Sequence, residues 1–271
     1  MSASAPVAAL PMYDFPEISA ANDALWRRVA AGLRARGVEA PHALARAPEL
    51  SDLWRDPGLI FAQACGYPYM TALREAVVLI ATPEYAFPGC EGADHRSFVI
   101  RSARDPRRAL AAFRGSVAAV NAHDSNTGMN LFRAAIAPVA GGRPFFSEVI
   151  VTGSHAASLE AVAEQRAGLA AIDCVTFGLL GRFRPDLVAR VAVVAESLPS
   201  PGLPFVMSAR QPAASLAAAR ESVFEALADT NLAEAHAALG LKGARILAAA
   251  DYEREIDAER EAAAAGYPRL A

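Results

Sequence analysis

Short β-branched or apolar runs recur along the chain between longer stretches with helical spacing. The runs Val7 to Met12, Leu59 to Gln63, Val77 to Ala81, Phe98 to Arg101, Val117 to Asn121, Glu148 to Thr152, Ala170 to Cys174 and Val191 to Ala195 read as strands. Helices are predicted over Ile18 to Arg36, where Leu25, Val29 and Leu33 repeat every fourth residue, over Met129 to Val139, over Ser154 to Gln165, and in a C-terminal group from Ala214 to Ala265. Strands alternating with helices long enough to cover a sheet predict an α/β chain with largely parallel sheets. Ligands of such sheets bind outside the carboxyl ends of the strands, beside helix N-termini, so sites are expected just after strands.

Two segments rich in proline and glycine break the alternation. One is Thr82 to His95, with Pro83, Pro88, Gly89 and Gly92; the other is Glu196 to Pro204, with Pro199, Pro201, Gly202 and Pro204. Read as crossings between lobes, they make residues 1–88 plus 200–271 a discontinuous first lobe and 89–199 a second, with a ligand cleft expected between them. The length of 271 residues agrees, because single cores stop growing near this size.

Composition narrows the picture. Hydrophobic residues at 54% and charged residues at 20% supply a core and exclude a disordered, solvating chain. A net charge of −3 lacks the basic excess that binds phosphate backbones, so no nucleic-acid partner is expected. No apolar run reaches the roughly 18 to 20 residues of a membrane span; that from Pro57 to Leu73 is interrupted by Gln63, Cys65, Gly66 and Pro68, so no membrane insertion is expected. The first basic residue is Arg27, which leaves no basic region ahead of an apolar leader. The expectation from the sequence as it stands is a cytoplasmic protein, with a periplasmic location as the alternative for a trimmed mature form. Cys65, Cys90 and Cys174 form no CxxC pair, and reduced thiols are expected, with one disulfide as the alternative. No Walker, GxGxxG, GxSxG or HExxH pattern and no metal-spaced His/Cys cluster occurs, so neither cofactor nor metal is expected.

Two segments carry candidate chemistry. In VAAVNAHDSNTGMNLFRAAI a strand runs through the polar turn Asp124-Ser125-Asn126-Thr127-Gly128 into a helix. Free backbone N–H groups, the positive end of the helix dipole and two hydroxyls converge there, which suits an oxyanion without any cationic side chain. An ordinary N-cap uses the same residue types. In VIVTGSHAASLEAVAEQRAGLAAIDCVTFGLL a strand ends at Gly153-Ser154-His155, a helix follows, and a further strand delivers Asp173, Cys174 and Thr176 at its carboxyl end. A capped helix with a satisfied buried histidine reads the same way. Tyr13, Tyr67, Tyr69 and Tyr85 follow strands beside prolines and offer flat walls with hydroxyl donors, or simple turn packing. Cys174 or Cys65 with His155 and Asp173 would also compose a nucleophile, base and orienter, but spacing demonstrates no mutual hydrogen bonds.

Taken in order, LWRDPGLIFAQACGYPY, TPEYAFPGCEG, NAHDSNTGMNLFR, FFSEVIVTGSH and AAIDCVTF resemble the phosphate/phosphite/phosphonate-binding proteins of ABC transporters, from LPMYD at Leu10 to LPFVMSAR ending at Arg210. The resemblance implies a two-lobed type II periplasmic-binding-protein fold with a two-strand hinge, a non-catalytic role, and capture of a small phosphorus oxyanion by lobe closure. It implies that Ser125, Asn126, Thr127 and Gly128 hold the oxyanion, that His155 donates to it, that Asp173 accepts from a protonated ligand oxygen, and that Tyr85, Tyr13 and Tyr67 close the other side. The implied partners are the small oxyanion and an ABC-transporter permease. A cytoplasmic small-molecule sensor or a cysteine-dependent enzyme on the same fold is the alternative. The chain departs from the family before AAID: where the family carries a glycine and an aspartate, AVAEQRAGLAAID has Gln165 or Arg166 and Gly168.

Overall fold

Strand-forming runs whose residues are buried on both faces, such as LIFAQ and LAAID, build two separate five-stranded sheets in the computed structural model, which describes residues 4–46 and 49–271. The strands are, in chain order, β1 (Val7–Ala9), β2 (Leu59–Gln63), β3 (Val77–Tyr85), β4 (Asp94–His95), β5 (Ser97–Ser102), β6 (Val117–Val120), β7 (Glu148–Val151), β8 (Leu169–Asp173), β9 (Val191–Glu196), β10 (Ser200–Pro201), β11 (Phe205–Ser208) and β12 (Leu241–Arg245). The longer helices are α1 (Ser19–Ala35), α2 (Leu131–Ala140), α3 (His155–Ala163), α4 (Cys174–Phe183), α5 (Ala213–Ala228), α6 (Ala233–Leu239) and α7 (Glu253–Ala264). Among the described residues no helix is long and apolar enough to cross a membrane.

The chain divides into two units. The first holds the described residues up to Ala86 together with Gly202–Asp251; its sheet has the order β1-β2-β11-β3-β12, and only β1 and β2 run parallel. α1 buries Leu25, Val29 and Leu33 as its four-residue spacing predicts. Trp26 stacks on Phe61 at 5.5 Å, and Phe61 meets Phe205 at 4.9 Å. Each such side chain contributes on the order of 1.5–3 kcal/mol by leaving water.

The second unit holds Phe87–Pro201 and Tyr252–Ala271, with sheet order β7-β6-β8-β5-β9. Here β6 lies parallel to β7 and β8, while β5 runs antiparallel to β8 and β9. Both sheets are therefore mixed, not largely parallel as expected. Parallel pairing needs a covered crossover, and in this unit α2 and α3 supply it only along β6-α2-β7-α3-β8. Separately, β4 and β10 form a two-residue antiparallel ribbon pairing His95 with Ser200.

The C-terminal segment departs from the expected boundary. Residues 252–271 were expected in the first lobe, yet Ala262 and Tyr267 sit in the core of the second unit with Phe132, Phe145 and Phe146. Arg133 donates to the Pro268 carbonyl at 3.0 Å, and Arg254 grips both oxygens of Asp94 at 2.7 and 2.8 Å. The chain consequently passes between units three times, at 86–87, 201–202 and 251–252. The expected helical group from Ala214 onward is likewise split, by β12.

Candidate functional site

The site is built at the carboxyl ends of three strands of the second unit. β6 ends at Val120, and the chain re-enters helix at Ser125, whose hydroxyl accepts the Gly128 N–H at 3.0 Å. Asn126–Asn130 then form a single π-helical turn ahead of α2. A widened first turn presents N–H groups outside the helical ladder, with the positive dipole end behind them. A Cβ on Gly128 would lie 1.7 Å from Asn121 Oδ1 and 3.0 Å from His155 Cε1, so glycine alone fits this wall. Ser97 steadies the turn from β5, its hydroxyl donating to the Thr127 carbonyl at 2.8 Å.

His155 and Asp173 come from the next two strand ends. Ser154 caps α3 by accepting the Ala157 N–H at 3.1 Å, which places His155 at the first position of the helix. Its Nε2 lies 3.0 Å from Thr127 Oγ1 and 3.5 Å from Asp173 Oδ2. Asp173 is buried at the end of β8 and caps α4, its Oδ1 accepting the Thr176 N–H at 2.9 Å. Thr127 and Asp173, far apart in sequence, thus meet at one atom, His155 Nε2.

Two imidazoles at this place are held neutral. Burial pushes the His155 pKa below its usual value; Asp173 and the nearby Ala171 backbone act the other way and lose. Its Nδ1 is buried without a well-formed hydrogen bond. The pKa of His95, on β4, is lowered to about 4, first by burial; Asp173 and Asp94 oppose this and His155 adds to it. The site therefore offers N–H groups, hydroxyls, neutral imidazole and one carboxyl-bearing residue, with no cationic side chain among these groups.

Ser125, Thr127, Gly128, His155 and Asp173 are brought together as the sequence predicts. The Asn126 side chain is turned inward instead: Nδ2 donates to Ser200 Oγ at 2.9 Å, and Oδ1 accepts from Asn130 at 3.0 Å, pinning the turn. The tyrosines belong to the first unit. Tyr13 meets Tyr85 edge to face at 5.6 Å, Gln63 donates to the Tyr85 hydroxyl at 3.2 Å, and Tyr67 lies buried in the short helix Gly66–Pro68. His95, Asn121 and Ser97 were not singled out from sequence. Asn121 ended a recognised strand and could have been; His95 is marked by nothing but its crossing segment.

The catalytic arrangement is not formed around Cys174. Its sulfur lies 3.2 Å from that of Cys90, and this partner together with burial pushes the thiol well above its usual range, away from a nucleophilic thiolate. Cys65 lies in the first unit. Among the described residues no group of three His, Cys, Asp or Glu could hold a metal ion.

The profile of the family described as ABC transporter, phosphonate, periplasmic substrate-binding protein matches residues 19–260. No curated protein matches the chain. Among solved structures, PhnD1 from Prochlorococcus marinus in complex with methylphosphonate is similar at TM-score 0.77 and 11% identity, over 95% of this chain and 97% of that one. A binding-protein component of an ABC phosphonate transporter from Pseudomonas aeruginosa is similar at TM-score 0.75 and 15% identity, over 97% and 88% of the two chains. A Xanthomonas citri protein bound to chloride ion is similar at TM-score 0.74 and 15% identity, over 96% and 98%. At these identities the structures establish the two-lobed α/β fold.

Proposed function

Since the chain belongs to the phosphonate-binding periplasmic substrate-binding proteins of ABC transporters, a family of non-catalytic binding proteins for small ligands, we propose that it captures a small monoprotonated phosphorus oxyanion: a phosphonate, phosphite or phosphate. The observation that carries this reading is the convergence of Thr127 and Asp173 on His155 Nε2 at the head of the π turn. With its proton on Nε2, His155 donates to Thr127 Oγ1, and the threonine hydroxyl is then free to donate to a ligand oxygen. N–H groups at the head of the turn receive the remaining negative oxygens. Asp173 accepts the one ligand O–H, a pairing closed to a fully ionised ligand. Tyr13, Tyr67 and Tyr85 are further proposed ligand contacts, lobe closure is the proposed mode of capture, and a permease of an ABC transporter is the partner.

Calorimetric titration with phosphate, phosphite and methylphosphonate tests the assignment on wild type, Thr127→Ala and Asp173→Asn. Each substitution is expected to weaken binding at least about tenfold, the worth of one charge-assisted hydrogen bond. Binding that both variants leave unchanged would remove the site from this turn. Small-angle scattering at saturating ligand should show compaction; an unchanged profile counts against closure.

A further inference from the structure

The sulfur atoms of Cys90 and Cys174, 84 positions apart in sequence, lie 3.2 Å from each other in the second unit. The surrounding backbone is shaped to bring them there. Phe87 to Cys90 is a tight turn, closed by the Cys90 N–H on the Phe87 carbonyl at 3.1 Å. Within it Gly89 adopts φ +89°, a left-handed conformation, and a Cβ there would lie 2.8 Å from Cys174 Cβ and 2.9 Å from Phe98 Cζ. The turn can press against Cys174 only because residue 89 has no side chain. From the other side, the Cys174 N–H is tied to the Arg96 carbonyl at 2.9 Å, which holds the head of α4 in place. About one ångström of approach separates this contact from a bonded pair.

We propose that Cys90 and Cys174 are a disulfide-forming pair, closed by exchange with a donor disulfide such as oxidised glutathione. Cys90 is part-exposed and Cys174 buried, so the donor is met at Cys90. The Cys90 thiolate attacks one donor sulfur, expelling the first donor thiol and leaving a mixed disulfide. The Cys174 sulfur then attacks Cys90 Sγ and expels the second. Two electrons pass from the protein sulfurs to the donor, and the two protein protons end on two donor thiols. The neighbouring sulfur and burial, which push the Cys174 thiol up, make the second attack the slow one. The bond would tie the start of the second unit to the residue after Asp173. Cys65, buried in the first unit, lies outside this pair.

The inference is independent of the ligand reading, since the crosslink can form whether or not any oxyanion binds. The full chain is incubated with oxidised glutathione at mildly alkaline pH, alkylated under denaturing conditions without reductant, and analysed by intact mass and peptide mapping. The expected result is a loss of about 2 Da, a fall from three alkylatable thiols to one, a Cys90–Cys174 linked peptide, and full reversal by dithiothreitol. Cys90→Ser, a change at the part-exposed partner, should keep the fold and abolish the mass loss. A stable glutathione adduct on Cys90, a crosslink that includes Cys65, or three thiols still alkylated after prolonged exposure would each overturn the proposal.

Discussion

His95 ties the stability of the second unit to pH. Its ring is buried on β4 opposite Ser200, and Nε2 has no hydrogen-bond partner among the described residues. Asp173 and Asp94 favour its charged form and His155 opposes it, but burial dominates and the pKa falls from 6.5 to about 4. Asp94 is itself engaged by Arg254, which limits what it offers the imidazole. Between pH 6.5 and about 4 the unfolded chain binds a proton at this position that the folded unit does not. Unfolding free energy therefore rises with pH through that window: the contribution is fully present above pH 6.5 and is lost as pH falls through the folded value. The difference of about 2.5 pH units, at about 1.36 kcal/mol each, comes to roughly 3 kcal/mol. His155, also lowered, acts with the same sign. Urea midpoints of wild type and His95→Gln from pH 8 to pH 4 measure it. Wild type should lose about 3 kcal/mol more than the variant on acidification, and the His95 ring should titrate far below the usual imidazole value by NMR. Parallel stability curves for the two proteins, or a His95 titration near 6.5, would refute the reasoning.

Three other changes have definite expected outcomes. Gly128→Ala forces a methyl into Asn121 Oδ1, so it should cost about 1–3 kcal/mol in denaturant unfolding and abolish oxyanion binding by calorimetry. Gln165 sits at φ +61° in a turn that ends α3, with its N–H on the Val162 carbonyl and that of Arg166 on Ala161; Gln165→Gly should relieve about 1 kcal/mol of left-handed strain, offset by about half of that in unfolded-chain entropy, for a small rise in melting temperature. A Cys90–Cys174 crosslink closing an 84-position loop should raise the oxidised protein's unfolding free energy, read from urea midpoints, by up to roughly 4.5 kcal/mol over the reduced form on a chain-entropy argument; equal midpoints would show the loop already restrained when reduced.

The alternation of short apolar runs and four-residue spacings was enough to locate the principal strands and three of the helices, because burial imposes those periods locally. It could not reveal which neighbour each strand would choose. β11 and β12 return from far along the chain to pair antiparallel with β3, a choice made by packing and not by any residue within them. The strand was expected to end at Ala81, where a crossing with Pro83 begins, yet it continues to Tyr85. Beyond Ala81 its partner is β12, so the missing N–H there falls outside the β11 ladder. The C-terminal helix shows the same limit: the helical group from Ala214 onward was legible, and the unit that its last helix joins was not. At the site, residues that follow strands were legible because strand ends carry the helix caps. His95 was not, because its role arises from a two-residue ribbon and from burial. The family's glycine before AAID is explained in turn by Gln165, which occupies the left-handed position where glycine would be unstrained.

The electrostatic economy of the site bears on selectivity. Two buried arginines of the second unit are committed to backbone or amide oxygens: Arg101 to the carbonyls of Ser102 and Asp105, Arg133 to Pro268 and to Asn130 Oδ1. Arg133 meets the π turn at its last residue, Asn130, and not at Thr127. A site with a buried cation would attract any small anion and hold the most highly charged form best. On the proposed reading, attraction comes from oriented N–H groups and hydroxyls, and Asp173 would repel a fully charged ligand. On the proposed reading, the protein counts protons on its ligand as well as oxygens. Sulfate offers no O–H at neutral pH and leaves the carboxylate facing a bare oxygen, whereas a monoprotonated phosphonate satisfies it. The discrimination then comes from the penalty on the wrong ligand, which is the harder quantity to obtain from contacts to the right one alone.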